Sequence, residues 1–264
     1  TIINEDTTFY AHWTKAYYAE INGTEYGSIQ EAINAVPTNG TSTTITVIKD
    51  TSENFSTKVG QNVIIDLQGH TVRNYNGNAI IENKSTTTIK NGTIRTSGTT
   101  TASAINNNSG ANLTIDGVSI YVTGEKQAVY NYENAVVTIT GDSYITSEAS
   151  GTAQNSSIGR GTVQNLSGGT MYVYSGTIIG TRQQAISNEG TLTIGRNDGT
   201  INNTTPTIRG ETYGIVSTAT LNFYDGKIKG ITNAISGTVT NTSGTIVSAT
   251  EAINGKTYKV QYNQ

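Results

Sequence analysis

The chain of 264 residues has no cysteine, one tryptophan, one methionine and three phenylalanines, and only 13% of its residues are charged. The missing cysteine excludes a thiolate nucleophile, a thiolate zinc site and a disulfide. It says little about compartment. Two isolated histidines, His12 and His70, make neither a metal cluster nor a catalytic triad. A broad globular core would use more large aromatics than three Phe and one Trp. No apolar run approaches the ~20 residues of a membrane-spanning helix. A net charge of −3 offers no basic patch, so nucleic acid is not an expected partner. No secretory leader is visible, and any such leader is expected outside these residues. Aspartates are also sparse, and no two are adjacent or alternate.

What the chain does have is Gly, Asn, Thr and Ile in a repeating order. Asn83, Asn107, Asn131, Asn165 and Asn188 follow one another at intervals of 24, 24, 34 and 23 residues. Each lies two positions after a branched aliphatic residue: Ile81, Ile105, Val129, Val163 and Ile186. A period of this size in a β-rich sequence predicts a solenoid. The segments around Gly92, Gly117, Gly141, Gly176, Gly199, Gly226 and Gly244 carry a second register of strand, turn and strand. Glycine suits such corners because it tolerates positive φ. Strand alternation places Ile89, Ile115, Ile139, Val173, Ile194 and Phe223 on one inward face. Coils stacked at ~4.8 Å put equivalent side chains over one another. The five asparagines are therefore expected to form an inward ladder in which each amide donates to the next.

The start of the repeat has an adapter. Asn22-Gly23 is a hairpin signal. Ser28-Ile29-Gln30-Glu31 opens a short helix with a Ser28/Glu31 capping box, and Ile29, Ala32, Ile33 and Val36 form its apolar face before Pro37. A solenoid leaves unpaired strand edges at its ends, so this helix is expected to be a lid. The predicted organisation is 1–16 as the tail of a preceding module, 17–40 as hairpin and cap, and 41–264 as solenoid.

Two resemblances carry further implications. Asp6-Thr7-Thr8-Phe9-Tyr10-Ala11-His12-Trp13 resembles the closing strand of the Listeria–Bacteroides repeat, the internalin-type B-repeat. Residues 26–72, with the helix and the segment Asp66-Leu67-Gln68-Gly69-His70-Thr71-Val72, resemble the opening of pectate-lyase-like domains of bacterial surface proteins. Together they imply an all-β, right-handed parallel β-helix of about nine coils in a Gram-positive surface protein, extracellular and of adhesin or stalk type. The superfamily mixes enzymes with non-catalytic modules, so the resemblance implies a fold more strongly than an activity. The aspartate motifs of polygalacturonase-type hydrolases are missing. Asp116, Asp142 and Asp225 border turn glycines, where they are expected to accept backbone hydrogen bonds. The fall-back enzymatic reading is a lyase or hydrolase site at Asp225, Lys227 and Lys229, although outward solvated lysines explain that cluster more simply.

No cofactor or metal is expected. The expected partner is a carbohydrate or a host surface protein. Fifteen tyrosines supply the candidate contacts. Tyr172 and Tyr174 flank inward Val173, Tyr224 occupies the position of Tyr174 two coils later, and Tyr130 and Tyr132 flank Asn131. The interval of 34 residues exceeds 24 by ten, which marks an insertion within 147–161 that includes Arg160. This insertion is expected to lean over Tyr172 and Tyr174 and form a shallow groove. The candidate binding residues are thus Tyr172, Tyr174, Tyr224 and Arg160.

Overall fold

The computed structural model describes residues 15–74, 77–96, 102–152 and 156–264. The run at 6–13, and with it His12, lies outside the described residues. Alternating Ile/Val and Thr favours strands, Asn and Gly favour the corners between them, and the described chain winds into a parallel β-solenoid of about eight turns. Each central turn contributes a strand to three faces. Three inward stacks run the length of the molecule. One is Ile45, Ile65, Ile89, Ile115, Ile139, Val173, Ile194 and Phe223 in direct register. All eight are fully buried. A second stack runs Val72, Ile94, Ile120, Ile145, Ile178, Ile208 and Ile228. The third belongs to an eight-stranded parallel sheet and runs from Phe55 through Ile81, Ile105, Val129, Val163, Ile186 and Ile215 to Ile235. A core one side chain deep on each face can be filled by aliphatics, which explains the shortage of Phe and Trp.

Most of the turn glycines have positive φ, among them Gly141 at 62°. A Cβ at Gly141 would also strike Asp116 and the backbone of Gly117 in the preceding coil. Gly92 does not have positive φ. There the reason for glycine is contact, because a Cβ would collide with Leu67.

Both ends are closed. Ala19–Ile21 and Thr24–Tyr26 form a hairpin around Asn22-Gly23, and its first strand pairs antiparallel with Ser42–Val47. The helix Ile29–Ala35 buries Ile29, Ala32 and Ile33, and Ser28 Oγ accepts from Glu31 N–H at 2.9 Å. Glu31 closes its half of the box one residue early, accepting from Gly27 N–H at 2.9 Å. The helix start is completed by Glu53, which accepts from Ile29 and Gln30 N–H at 3.0 and 3.2 Å. Gln30 continues the eight-stranded sheet with its amide, accepting from Ser56 N–H (2.8 Å) and donating to Ser56 O (3.2 Å). Gln61 Nε2 donates to the helix-end carbonyls of Ile33 and Val36 at 2.7 and 2.9 Å. The helix is thus a hydrogen-bonded lid on an otherwise open edge.

The parallel winding does not continue to residue 264. Ile246–Ile253 and Lys256–Asn263 form an antiparallel hairpin about Asn254-Gly255, and its second strand pairs antiparallel with Lys227–Gly230. This hairpin stands where a further coil was expected. Pairing in the opposite direction ends the ladder, because the outer strand turns away and leaves no parallel template. Asn263 locks it, donating to Phe223 O at 2.7 Å and accepting from Thr242 Oγ1 at 2.8 Å.

Candidate functional site

The five asparagines are fully buried and point inward. Asn83 Nδ2 donates to Asn107 Oδ1 at 2.7 Å, Asn107 to Asn131 at 2.7 Å, Asn131 to Asn165 at 2.7 Å and Asn165 to Asn188 at 2.8 Å. Every step runs in one direction. The second amide hydrogen reaches a backbone carbonyl, as from Asn107 to Val136 O at 2.9 Å. The ladder is closed by hydroxyls at both ends. Thr57 Oγ1 donates to Asn83 Oδ1 at 2.9 Å, and Asn188 Nδ2 donates to Ser217 Oγ at 2.9 Å. The sequence signal for these two caps is the same offset, since Thr57 follows Phe55 by two and Ser217 follows Ile215 by two. This row is structural and offers nothing to a ligand.

The fall-back catalytic cluster does not assemble. Asp225 is buried and its Oδ1 accepts from the backbone N–H of Asn202 (3.1 Å), Asn203 (3.0 Å) and Gly226 (2.6 Å). It ties the 198–205 loop to the corner, as the turn reading of that residue predicts. Lys229 is not a solvated outward charge. Its side chain is 12% exposed, and its ammonium pairs with Glu251 at 2.8 Å across the terminal hairpin. Asp116 and Asp142 accept no backbone hydrogen bond among the described residues, unlike Asp225. His70 sits half-exposed in its turn. Its Nδ1 lies 3.3 Å from Asp50, which also binds Arg73 and Thr71 N–H. Among the described residues no group of three His, Asp or Glu is placed to hold a metal, and no helix is long and apolar enough to cross a membrane.

The outward tyrosines form clusters instead. Tyr172 and Tyr174 project on either side of buried Val173, and their rings stack at 5.5 Å with 25° between planes. The Arg196 guanidinium lies 4.0 Å from the Tyr174 centroid, a cation–π contact that makes a three-member platform. Tyr224 follows Phe223, which pairs with Ile194, which pairs with Val173, so it stands two coils from Tyr174 as expected. Gly195 occupies the coil between them, where a Cβ would strike Asp225. A second cluster was missed by sequence reasoning. Tyr121 and Tyr144 approach to 5.8 Å, with Arg95 at 5.3 Å over Tyr121. Its signal is the alternation of Tyr121 with inward Ile120 and Val122.

The insertion goes elsewhere. Its described part turns onto the asparagine-bearing sheet, not over Tyr172 and Tyr174. Gly159 O accepts from Gln184 Nε2 and Ser187 Oγ at 2.6 Å each, and Ser157 N–H donates to Glu189 at 2.8 Å. Arg160 Nη1 donates to the Ser150 and Glu125 carbonyls at 2.7 and 3.3 Å. Gln164 and Ser187 alternate with inward Val163, Asn165, Ile186 and Asn188 and so face outward, and they supply the loop with hydrogen-bond partners at Ser156 and Gly159 that outward tyrosines do not. Arg160 therefore belongs to a different surface from Tyr172, Tyr174 and Tyr224. It stands near Tyr130 and Tyr132, which meet edge-on at 4.9 Å. Tyr130 is not an exposed contact; it is 5% exposed and packs with Leu166. Burial, then its neighbours Tyr132 and Glu189, push its phenol up to about 12.

Comparison of the chain with protein-family profiles, with curated proteins and with solved structures gave no match.

Proposed function

We propose that this chain is a non-catalytic, extracellular adhesin or stalk module of a Gram-positive bacterial surface protein, built as a right-handed, pectate-lyase-like β-helix. In this reading it presents outward tyrosines to glycan or to a host surface protein. The observation that carries the reading is the Tyr172–Tyr174–Arg196 platform. Two stacked phenols backed by a guanidinium offer a flat apolar face with polar rims, the surface on which sugar rings and protein loops stack. The engagement of Asp225 with backbone N–H groups supports a structural role for the acid best placed for catalysis. A single platform binds weakly, and repeated display on a surface would raise avidity.

The test is a glycan and mucin array probed with the wild type and with Tyr174→Ala. The expected result is a bound class of glycan lost on substitution, with an unchanged melting temperature, because Tyr174 fills no core cavity. Binding of every array hit by Tyr174→Ala at wild-type strength would overturn the assignment.

A further inference from the structure

A cleft of about 130 Å³ opens on the outside of the asparagine-bearing sheet. Its walls include Ser103, Lys126, Gln127, Tyr130, Tyr132 and Arg160. Two cations share it, and among the described residues neither forms an ion pair with a carboxylate. None of the acids around it forms an ion pair with Lys126 or Arg160, although Glu82 is bonded to Asn106 of the cleft wall and Glu189 Oε2 has no partner among the described residues. Glu82 accepts from Asn106 and Asn108 at 2.7 and 2.9 Å, Glu189 from Ser157, and Glu125 pairs with Arg182 at 3.7 Å. Arg160 is not free to swing away, because its Nη1 is held by the Ser150 and Glu125 carbonyls. Gln127 uses its Oε1 to accept from Ser103 at 3.4 Å, which leaves Nε2 as a donor. The edge-to-face pair Tyr130–Tyr132 gives the cleft a rigid aromatic wall.

We propose that this cleft binds the acid group of an anionic saccharide, with a carboxylate or sulfate between Lys126 and Arg160 and the sugar ring against Tyr132. The geometry supplies what such a ligand needs. An oxyanion between an ammonium and a guanidinium gains charge-assisted hydrogen bonds, and a phenol face covers the apolar side of the ring. Lys126 is held below its ordinary range by burial and then by repulsion from Arg160, which together outweigh the attraction of Glu125. The volume is below the ~300 Å³ at which larger ligands become enclosed, so the ligand is a terminal sugar and not the interior of a polysaccharide. The site is independent of the Tyr172–Tyr174 platform, lies on a different sheet, and does not require that the chain be an adhesin.

The test titrates the whole chain by NMR with a glucuronate-ended oligosaccharide, a sulfated one and the neutral parent. The acidic ligands are expected to bind at least about tenfold tighter than the neutral one and to weaken in high salt. Lys126→Gln should cost roughly tenfold, Lys126→Arg should retain most of the affinity, and Tyr174→Ala should change nothing. Preference for one acid over the other assigns carboxylate or sulfate. Arg160 is left intact because it anchors the insertion. The proposal fails if the acidic and neutral ligands bind alike, if none binds, or if Lys126→Gln leaves the acidic ligands unaffected.

Discussion

Asn131 donates to Asn165 at 2.7 Å although 34 residues separate them, and the neighbouring step from Asn107 to Asn131 spans 24 residues at the same distance. The described part of the insertion lies against the outside of the sheet, and the ladder keeps its pitch. A hydrogen-bonded stack of buried amides tolerates a bulge outside the coil but not a shift along it, because any slip leaves an amide unpaired in the interior.

Asn131→Ala should therefore destabilise the fold by roughly 1–3 kcal/mol, the cost of leaving buried donors and acceptors unsatisfied. Asn131→Asp should cost more, since it replaces a donor with an anion facing Asn165 Oδ1. Urea midpoints of the two variants check this. Midpoints equal to wild type would show that the amides carry no stability.

Asn83 is first in the row, and an end position suggests a smaller loss. The structure points the other way. Its Oδ1 also accepts from Thr87 Oγ1 at 2.7 Å and from Thr57 Oγ1. Asn83→Ala is expected to cost as much as Asn131→Ala, within about 0.5 kcal/mol, and Thr57→Val should cost roughly 1–3 kcal/mol, because its hydroxyl both donates to Asn83 and accepts from Lys84 N–H at 2.9 Å. Chemical denaturation of the three variants side by side decides the order.

Deleting residues 24–40 should remove Gln30 and the helix carbonyls that receive Gln61, and so expose the strand Phe55–Ser56 as an open edge. Aggregation is expected, measured by light scattering. A monomeric truncation with an unchanged melting temperature would mean that the helix is dispensable.

The terminal hairpin predicts an alkaline limit. Tyr258 is buried and donates to Glu211 at 2.6 Å. Burial, then the bond to Glu211, raises its phenol to about 12, above the ordinary 10.0. A raised folded value means that the native state holds the proton more tightly. This contribution is complete below about pH 10 and is lost as pH rises towards 12. Tyr258→Phe should flatten that part of the stability profile, read from melting temperatures between these limits.

Asp225→Ala should act on stability and not on turnover. Three backbone N–H groups lose a charged acceptor, a loss of roughly 2–3 kcal/mol. Neither the wild type nor the variant is expected to release unsaturated products or reducing ends from pectin, alginate or hyaluronan. Wild-type product formation abolished by this substitution would return the site to catalysis.

The sequence by itself determined the repeat. The offset from Ile81, Ile105, Val129, Val163 and Ile186 to the asparagines, and the alternation around Ile89 and its successors, are periodic. A periodic pattern imposes its register wherever coils stack. The capping helix was legible for a local reason, since Ser28, Glu31 and the apolar face of Ile29, Ala32 and Ile33 lie within one short segment. Only tertiary structure decided what is not periodic. It turned Ile246–Ile253 and Lys256–Asn263 into an antiparallel stop, although Asn254-Gly255 reads only as a turn. It laid the insertion on Gln184, Ser187 and Glu189, and so separated Arg160 from Tyr172 and Tyr174. It paired Lys229 with Glu251 from the far side of the hairpin. These outcomes depend on which distant groups offer hydrogen-bond and charge partners at the moment the coils close, and such partners have no fixed spacing along the chain.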